Sequence, residues 1–317
     1  RTSGRSSGNC SFDREAPMRR VVSISLGSSK RDHKAIECFG GETFSIERIG
    51  TDGDRNKAIS LIRELDGQVD AFGMGGTDLY IYAGKRRYTF RESARIAAAA
   101  RITPIVDGSG VKNTLERRVI RSLETQYGMS FRGRKTLVVC AVDRFGLAEE
   151  LVSAGADTVF GDLLFGLGLP VPIRSPQMLA RLAAVVAPVI TRLPISWFYP
   201  TGGKQQQSTP KFARYFQEAD VIAGDFHFIR RYMPGHLPGK TIITNTVTRE
   251  DEEYLRERGV TTLVTTTPEM GGRSFGTNIL EGILVALAQK RPEDMTTEDY
   301  SRLLDEIDAR PRIKSLV

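Results

Sequence analysis

Six times along the chain a short apolar run empties straight into a turn of Gly, Ser, Thr, Asp and Asn, and a helical pattern follows. The runs at 21–26, 69–72 and 104–106 lead into Gly27-Ser28-Ser29-Lys30, Gly73-Met74-Gly75-Gly76 and Asp107-Gly108-Ser109-Gly110. Those at 137–142, 241–243 and 262–264 lead into Asp143-Arg144-Phe145-Gly146, Thr244-Asn245-Thr246 and the long turn 265–278. Strands alternating with helices build a parallel sheet. In such a sheet ligands bind beyond the carboxyl ends of the strands, where backbone N–H groups and helix N-termini face outward. The pattern therefore predicts an α/β protein of two domains, the second Rossmann-like with a mostly parallel sheet, and points to a ligand-binding chain, an enzyme in the first instance.

The expected division is a leader at 1–17, an N-terminal α/β substrate domain at 18–133, a Rossmann-like domain at 134–290 and a helical tail at 291–317. The Ser/Gly/Arg-rich leader has no apolar period and no signal-peptide core, so Met18 is expected to be the natural start. Helices are expected near 30–39, 55–65, 91–101, 114–127, 147–154, 276–290 and 297–308. Strands are expected at 43–49, 69–72, 102–106, 135–142, 158–161, 195–198, 221–223, 241–243 and 262–264, with a hairpin across 79–90. The tail is expected to pack back across the first domain or to extend a homodimer surface.

Composition removes several classes of function. Apolar residues make up 40% and charged residues 26% of 317, the balance of a globular chain long enough for two cores. No apolar stretch reaches the roughly 18 residues of a membrane span, since 178–190 is broken by Arg181 and Pro188. A membrane partner is not expected. The net charge of +7 suits an anionic small molecule. The basic pairs are interleaved with acids and no RNA-binding or helix-turn-helix signature accompanies them, so nucleic acid is not expected either. Three scattered cysteines and three scattered histidines suit a reducing cytoplasm and offer neither a disulfide framework nor a zinc site.

The chemistry-bearing residues gather in the turns. Gly27 to Arg31 joins hydroxyls and cations at a helix start, so Ser25, Ser28, Lys30 and Arg31 are candidate anion ligands. Gly75 permits close backbone approach, and Asp78 is a candidate carboxylate at the mouth of a cleft. The segment 107–113 combines two glycines, a carboxylate, a lysine and an amide. A lysine beside a carboxylate can be tuned to take a hydroxyl proton, which makes Lys112 the expected base, Asp107 its partner, and Ser109 and Asn113 substrate binders. In the last long turn Arg273 could grip a carboxylate bidentately, with Asn278 beside it.

A dinucleotide fingerprint needs glycines spaced G-x-G-x-x-G after the first strand of its domain. Here those places hold Ala141, Asp143 and Gly146. Asp162, about 20 residues on, stands where a carboxylate meets the adenosine ribose and favours NAD over NADP. Asp143, Arg144, Gly146, Asp162, Asn245 and Thr246 are thus the expected contacts of a nicotinamide cofactor. Both a divergent NAD site and a Rossmann-like fold without cofactor are compatible with this turn.

The segments 25–33, 107–116 and 270–278 resemble those of bacterial proteins labelled quinate or shikimate 5-dehydrogenases, and the resemblance covers nearly everything after Met18. It implies a substrate domain followed by a Rossmann domain, and an NAD(P)-dependent oxidoreductase acting on a polyhydroxylated cyclic carboxylate such as quinate or shikimate. In well-understood shikimate dehydrogenases the catalytic lysine and aspartate lie in separate segments, whereas Lys112 and Asp107 share one loop. Their paired serines and nearby histidine are matched in kind, at different spacing, by Ser23, Ser25 and His33. The alternative is a non-redox protein that binds or senses an anionic metabolite in the same cleft.

Overall fold

The computed structural model describes residues 18–83, 86–194, 208–270, 273–274 and 276–317. In the first half β1 (Arg19–Ser25), β2 (His33–Phe39), β3 (Glu42–Gly50), α1 (Arg55–Leu65) and β4 (Ala71–Gly75) are followed by a hairpin of β5 (Tyr80–Ala83) and β6 (Arg86–Thr89). Then come α2 (Arg91–Ala97), β7 (Ile105–Val106) and the long helix α3 (Ser109–Thr125). The sheet runs β2-β3-β1-β4-β7, parallel except where β2 pairs antiparallel with β3.

The second half places β8 (Lys135–Val138), α4 (Phe145–Ser153), β9 (Asp157–Phe160), α5 (Pro176–Ile190), α6 (Ala213–Glu218), β10 (Val221–Ala223) and α7 (Phe226–Tyr232). It continues with β11 (Thr241–Thr244), α8 (Arg249–Arg256), β12 (Thr262–Thr265), the short pair β13 (Glu269–Met270) and β14 (Arg273–Ser274), and α9 (Thr277–Ala288). The chain closes with α10 (Thr297–Glu306) and β15 (Arg312–Ser315). The second sheet runs β15-β12-β11-β10-β8-β9, parallel apart from β15. The protein is α/β with mostly parallel sheets, as the alternation of runs and turns predicts.

The period-two alternation of β1 decides how the first sheet is covered. Val22 and Ile24 face α1 and α2 in one cluster with Ala58, Ile62 and Ile96. Val21 faces the other way, into a cluster with Leu115 of α3 and Ile283 of α9 that continues to Val138, Ile243 and Val264 of the second sheet. One core is therefore shared between the two halves. The α9 helix, mostly apolar and buried from Thr277 to Ala286, lies on β1 and β4 of the first sheet. Gly282 allows the contact, because a Cβ there would stand 2.9 Å from Val21 Cγ1.

Four expectations need correction. Residues 33–39 are strand rather than helix: Gly40 and Gly41, both at positive φ, turn β2 back onto β3. Gly73 and Gly75 belong to β4 rather than to a turn. A Cβ at Gly73 would stand 3.0 Å from the Asn278 carbonyl, so these glycines admit the start of α9. The α3 helix begins at Ser109, five residues earlier than expected, which puts Lys112 and Asn113 on a helix rather than in a loop. The tail is not purely helical: α10 lies on α3 and α9, and β15 closes the edge of the second sheet beside β12. The strand expected at 195–198 lies outside the described residues. Among the described residues no helix is long and apolar enough to cross a membrane. Cys38 is disulfide-bonded, and Cys140 is a free thiol.

Candidate functional site

Each sheet changes direction of strand order once. In the first sheet the chain leaves β1 for β3 on one side and returns to β4 on the other; in the second it leaves β8 for β9 and returns to β10. Such switch points open a crevice at the strand ends. Here the two crevices face one another across a polar cleft with a cavity of about 190 Å³. The first half contributes Ser23, Ser25, Arg31, Arg48, Asp78 and Lys112; the second contributes Asp143, Arg144, Asp225, His227 and Asn278.

Lys112, on the first turn of α3, is 7% exposed. Its ammonium lies 2.9 Å from Asp143 Oδ1 and 3.3 Å from Asp78 Oδ1. Burial alone would lower its pKa, but Asp143 and Asp78 outweigh burial and the net shift is upward. Lys112 is therefore a charged donor in the ligand-free protein.

Asp107 is not its partner. The Asp107 carboxylate accepts from the amides of Leu79 and Tyr80, from the Ser109 amide at 3.0 Å and from Ser109 Oγ at 2.6 Å. It holds the start of α3 against the loop before β5, and Ser109 is spent in the same contact. The partner that sequence reasoning named only as a cleft carboxylate, Asp78, comes from the separate segment after β4.

Behind Lys112 stands a second buried network. Arg144, 2% exposed, pairs with the fully buried Glu116 of α3 and with Asp225 Oδ2 at 3.3 Å. Burial opposes the charge on Arg144, yet its carboxylate neighbours raise its pKa. Burial pushes Asp225 up, but His227 and Arg144 prevail and bring it down to about 2.

Five of the residues assigned to a nicotinamide cofactor, all but Thr246, hold contacts within the fold. Asp162 accepts from the amides of Ala141, at 3.0 Å, and Val142, at 2.9 Å, so it caps the turn after β8 in place of a ribose. Burial still lifts its carboxyl to about 6. Arg144 is locked between Glu116 and Asp225. A Cβ on Gly146 would strike Asn113, whose carbonyl would be 2.8 Å away, so this glycine serves the α3–α4 contact rather than a pyrophosphate. Asn245 donates to Asp225 at 2.8 Å and accepts from the Phe226 amide at 3.2 Å. Asp143 adds negative charge where a pyrophosphate would lie. The turn does not fit a dinucleotide.

Of the remaining expected ligands, Gly75 and Asn278 line the cleft with Thr246. Ser28 instead accepts from the Lys30 amide to open a single helical turn, Lys30 points to solvent, and Asn113 faces the α3–α4 contact. The Arg273 side chain lies outside the described residues. Sequence reasoning did not find Arg48, Thr77, Thr277 or Glu116. Arg48 was hidden because only the strand register, which sets it opposite Ser23 and His33, carries it to the cleft. No cluster able to hold a metal ion occurs among the described residues.

On the far side of α3, Glu281 accepts from the Gly108 amide at 2.7 Å and from the Tyr300 hydroxyl at 2.6 Å. Burial, with Asp107 nearby, lifts its carboxyl from 4.5 to about 7. A raised carboxyl favours the fold in its protonated form. Its contribution is full below the unfolded value and is lost as pH rises through about 7. Glu281→Gln is expected to flatten this loss, read as the urea midpoint between pH ~5 and ~8. An unchanged slope would show that other groups set it.

Residues 110–316 match the family model described as domain of unknown function (DUF8754), which spans more than half of the chain. The chain belongs to the DUF8754 family. Residues 20–107 match a second model, domain of unknown function (DUF8753). The DUF8754 match begins at the start of α3, whose first turn carries Lys112 into the cleft. No curated protein matches. Among solved structures the chain is similar to the NAD-dependent malic enzyme of Thermotoga maritima, at 11% identity and TM-score 0.35 over 91% of this chain and 84% of that one. It is also similar to L-tryptophan dehydrogenase of Nostoc punctiforme, at 10% identity and TM-score 0.38 over 91% and 79% of the chains. A third is the FolD methylenetetrahydrofolate dehydrogenase/cyclohydrolase of Campylobacter jejuni, at 10% identity and TM-score 0.30 over 90% and 88%.

Proposed function

We propose that the cleft binds a small polyhydroxylated carboxylate of the quinate or shikimate kind without redox chemistry. In this reading the Lys112 ammonium donates a hydrogen bond to a ligand hydroxyl oxygen and the Asp78 carboxylate accepts a hydrogen bond from that hydroxyl. The convergence of Lys112, Asp78 and Asp143 from three segments inside a cleft of about 190 Å³ carries the reading. A hydroxyl both gives and takes a hydrogen bond, and an ammonium beside a carboxylate matches both halves. Ser23, Ser25, Thr77, Thr277 and Asn278 supply more such groups along the walls. A cleft of hydroxyls and amides suits a polyol better than an apolar ligand.

A second reading is NAD(P)-dependent oxidation of the same class of compound. It is favoured by the pairing of Lys112 with Asp78, because a lysine and an aspartate from separate segments are the arrangement of the shikimate dehydrogenases that the sequence resembles. For that reading the turn after β8 offers no glycine cradle for a dinucleotide.

Calorimetry with quinate and shikimate tests the first reading, and nicotinamide absorbance with NAD and NADP separates the two. Wild-type protein is expected to bind at least one of the two compounds. Lys112→Met and Asp78→Asn are expected to weaken that binding about 10- to 100-fold, the scale of a lost charge-assisted hydrogen bond. A cofactor-dependent absorbance change would replace the first reading by the second. Binding of neither compound would overturn both.

A further inference from the structure

The cleft carries charged groups at both ends. Around Lys112 the charged groups are Lys112 and Arg144 against Asp78, Asp143, Glu116 and Asp225, two cations among four carboxylates. Toward the other end of the row of strand ends, Arg31 follows β1, Arg48 ends β3 and His33 opens β2, with His227 approaching from the second half. Adjacent strands stand about 4.8 Å apart, so β3 and β7 are roughly 14 Å apart along that row. Carboxylates stand at that end too, Asp32 paired with Arg48 and Asp225 behind His227, and Arg31 is the cation there that meets the second half.

At the Arg31 end the two halves of the protein touch. Arg31 Nη1 lies 3.1 Å from His227 Nε2. A guanidinium has only donors, so Nε2 must accept and the ring proton must sit on Nδ1. His227 is thus neutral, with Arg31 in front of its only lone pair. Its position is fixed from behind: the His227 amide donates to Asp225 Oδ1 at 2.9 Å as the cap of α7. Arg48 anchors the floor by donating to Asp32 Oδ1 at 2.7 Å and to Ser25 Oγ at 2.9 Å.

We propose that Arg31 and His227 form a two-sided clamp for the carboxylate of the ligand, one jaw from each half of the protein. This rests on the polyhydroxylated-carboxylate reading above and adds the orientation. The carboxylate enters between guanidinium and imidazole, and a ring hydroxyl reaches Lys112 and Asp78. Insertion separates Arg31 from Nε2 and puts a carboxylate oxygen there, which favours a second proton on His227. Burial holds the imidazole pKa down in the ligand-free protein; Asp225 and Asp251 act upward, Arg31 and Arg230 downward. Ligand binding therefore takes up a proton, and affinity falls as pH rises from the lowered value of His227 in the free protein through its raised value in the complex.

Three measurements test the clamp. First, wild-type protein is expected to bind quinate about 10- to 100-fold more tightly than its methyl ester, and Arg31→Met is expected to remove most of that difference by weakening the acid more than the ester. Equal affinity for acid and ester, or an equal loss of both in the variant, would overturn the clamp and leave the polyol reading standing. Second, the His227 imidazole signal in ligand-free protein is expected to titrate at higher pH in Arg31→Met than in wild type; no change would overturn the contact. Third, acetate, which lacks hydroxyls, is expected to shift the His227 signal saturably in wild type but not in Arg31→Met. Failure of quinate and shikimate with this acetate response intact would sink the polyol reading alone, and no acetate response would sink the clamp.

Discussion

Replacing Arg144 by methionine is expected to destabilise the protein by about 3–5 kcal/mol, the scale for breaking a buried ion pair from one side. Arg144 is 2% exposed and Glu116 is fully buried, so no solvent replaces the lost partner. Burial already raises the Glu116 carboxyl, with Arg144 opposing. Without Arg144 the carboxyl can stay in place only by taking a proton, so the loss grows as pH rises. The double variant Arg144→Met with Glu116→Met is expected to recover most of the stability, because two apolar groups of similar size leave no uncompensated charge between α3 and α4. Asp225 keeps the Asn245 amide and the His227 backbone in both variants. Urea unfolding of the four proteins reads the cycle. A single variant within about 1 kcal/mol of wild type would show that Glu116 does not depend on Arg144 for its place in the core.

The same arginine shows how far the sequence could be read. The alternation of apolar runs and polar turns was legible because each strand is short and each turn is rich in glycine or capping residues, and those are local properties. Lys112 and Asp78 were legible as unusual groups at strand ends. Their pairing was not, because Asp107 is five residues from Lys112 and Asp78 is 34 away in sequence, and only the fold puts the distant carboxylate closer. Arg144 and Asp162 looked like cofactor ligands since their positions match a fingerprint, but the partners that occupy them come from α3 and from the turn itself. Residues 33–39 escape a local reading for a related reason. His33-Lys34-Ala35-Ile36-Glu37-Cys38-Phe39 has no clear period, and the strand is set by its pairing with β3 and by the two glycines that follow.

Gly108→Ala is expected to cost about 2–5 kcal/mol and to weaken ligand binding along with it. Gly108 caps α3 with φ of 94°, a conformation that costs an L-residue about 1 kcal/mol or more. Its missing side chain is also the space into which α9 fits. A Cβ there would meet Thr277 Oγ1 and stand 2.7 Å from the Asn278 amide nitrogen, and backbone cannot give way as a flexible side chain does. Overpacking of that kind adds roughly 1–3 kcal/mol. Displacing the start of α9 moves Asn278, whose Nδ2 donates to Ser23 Oγ at 2.7 Å in the cleft. Gly128→Ala separates the two terms: Gly128 has φ of 67° with nothing within 4 Å of its Cβ position, so only the backbone cost applies. Urea midpoints and quinate calorimetry on both variants decide the matter. If Gly108→Ala costs no more than Gly128→Ala and binds quinate as wild type does, then α9 can retreat from α3 without disturbing the cleft, and the close contact at Gly108 does not position the site.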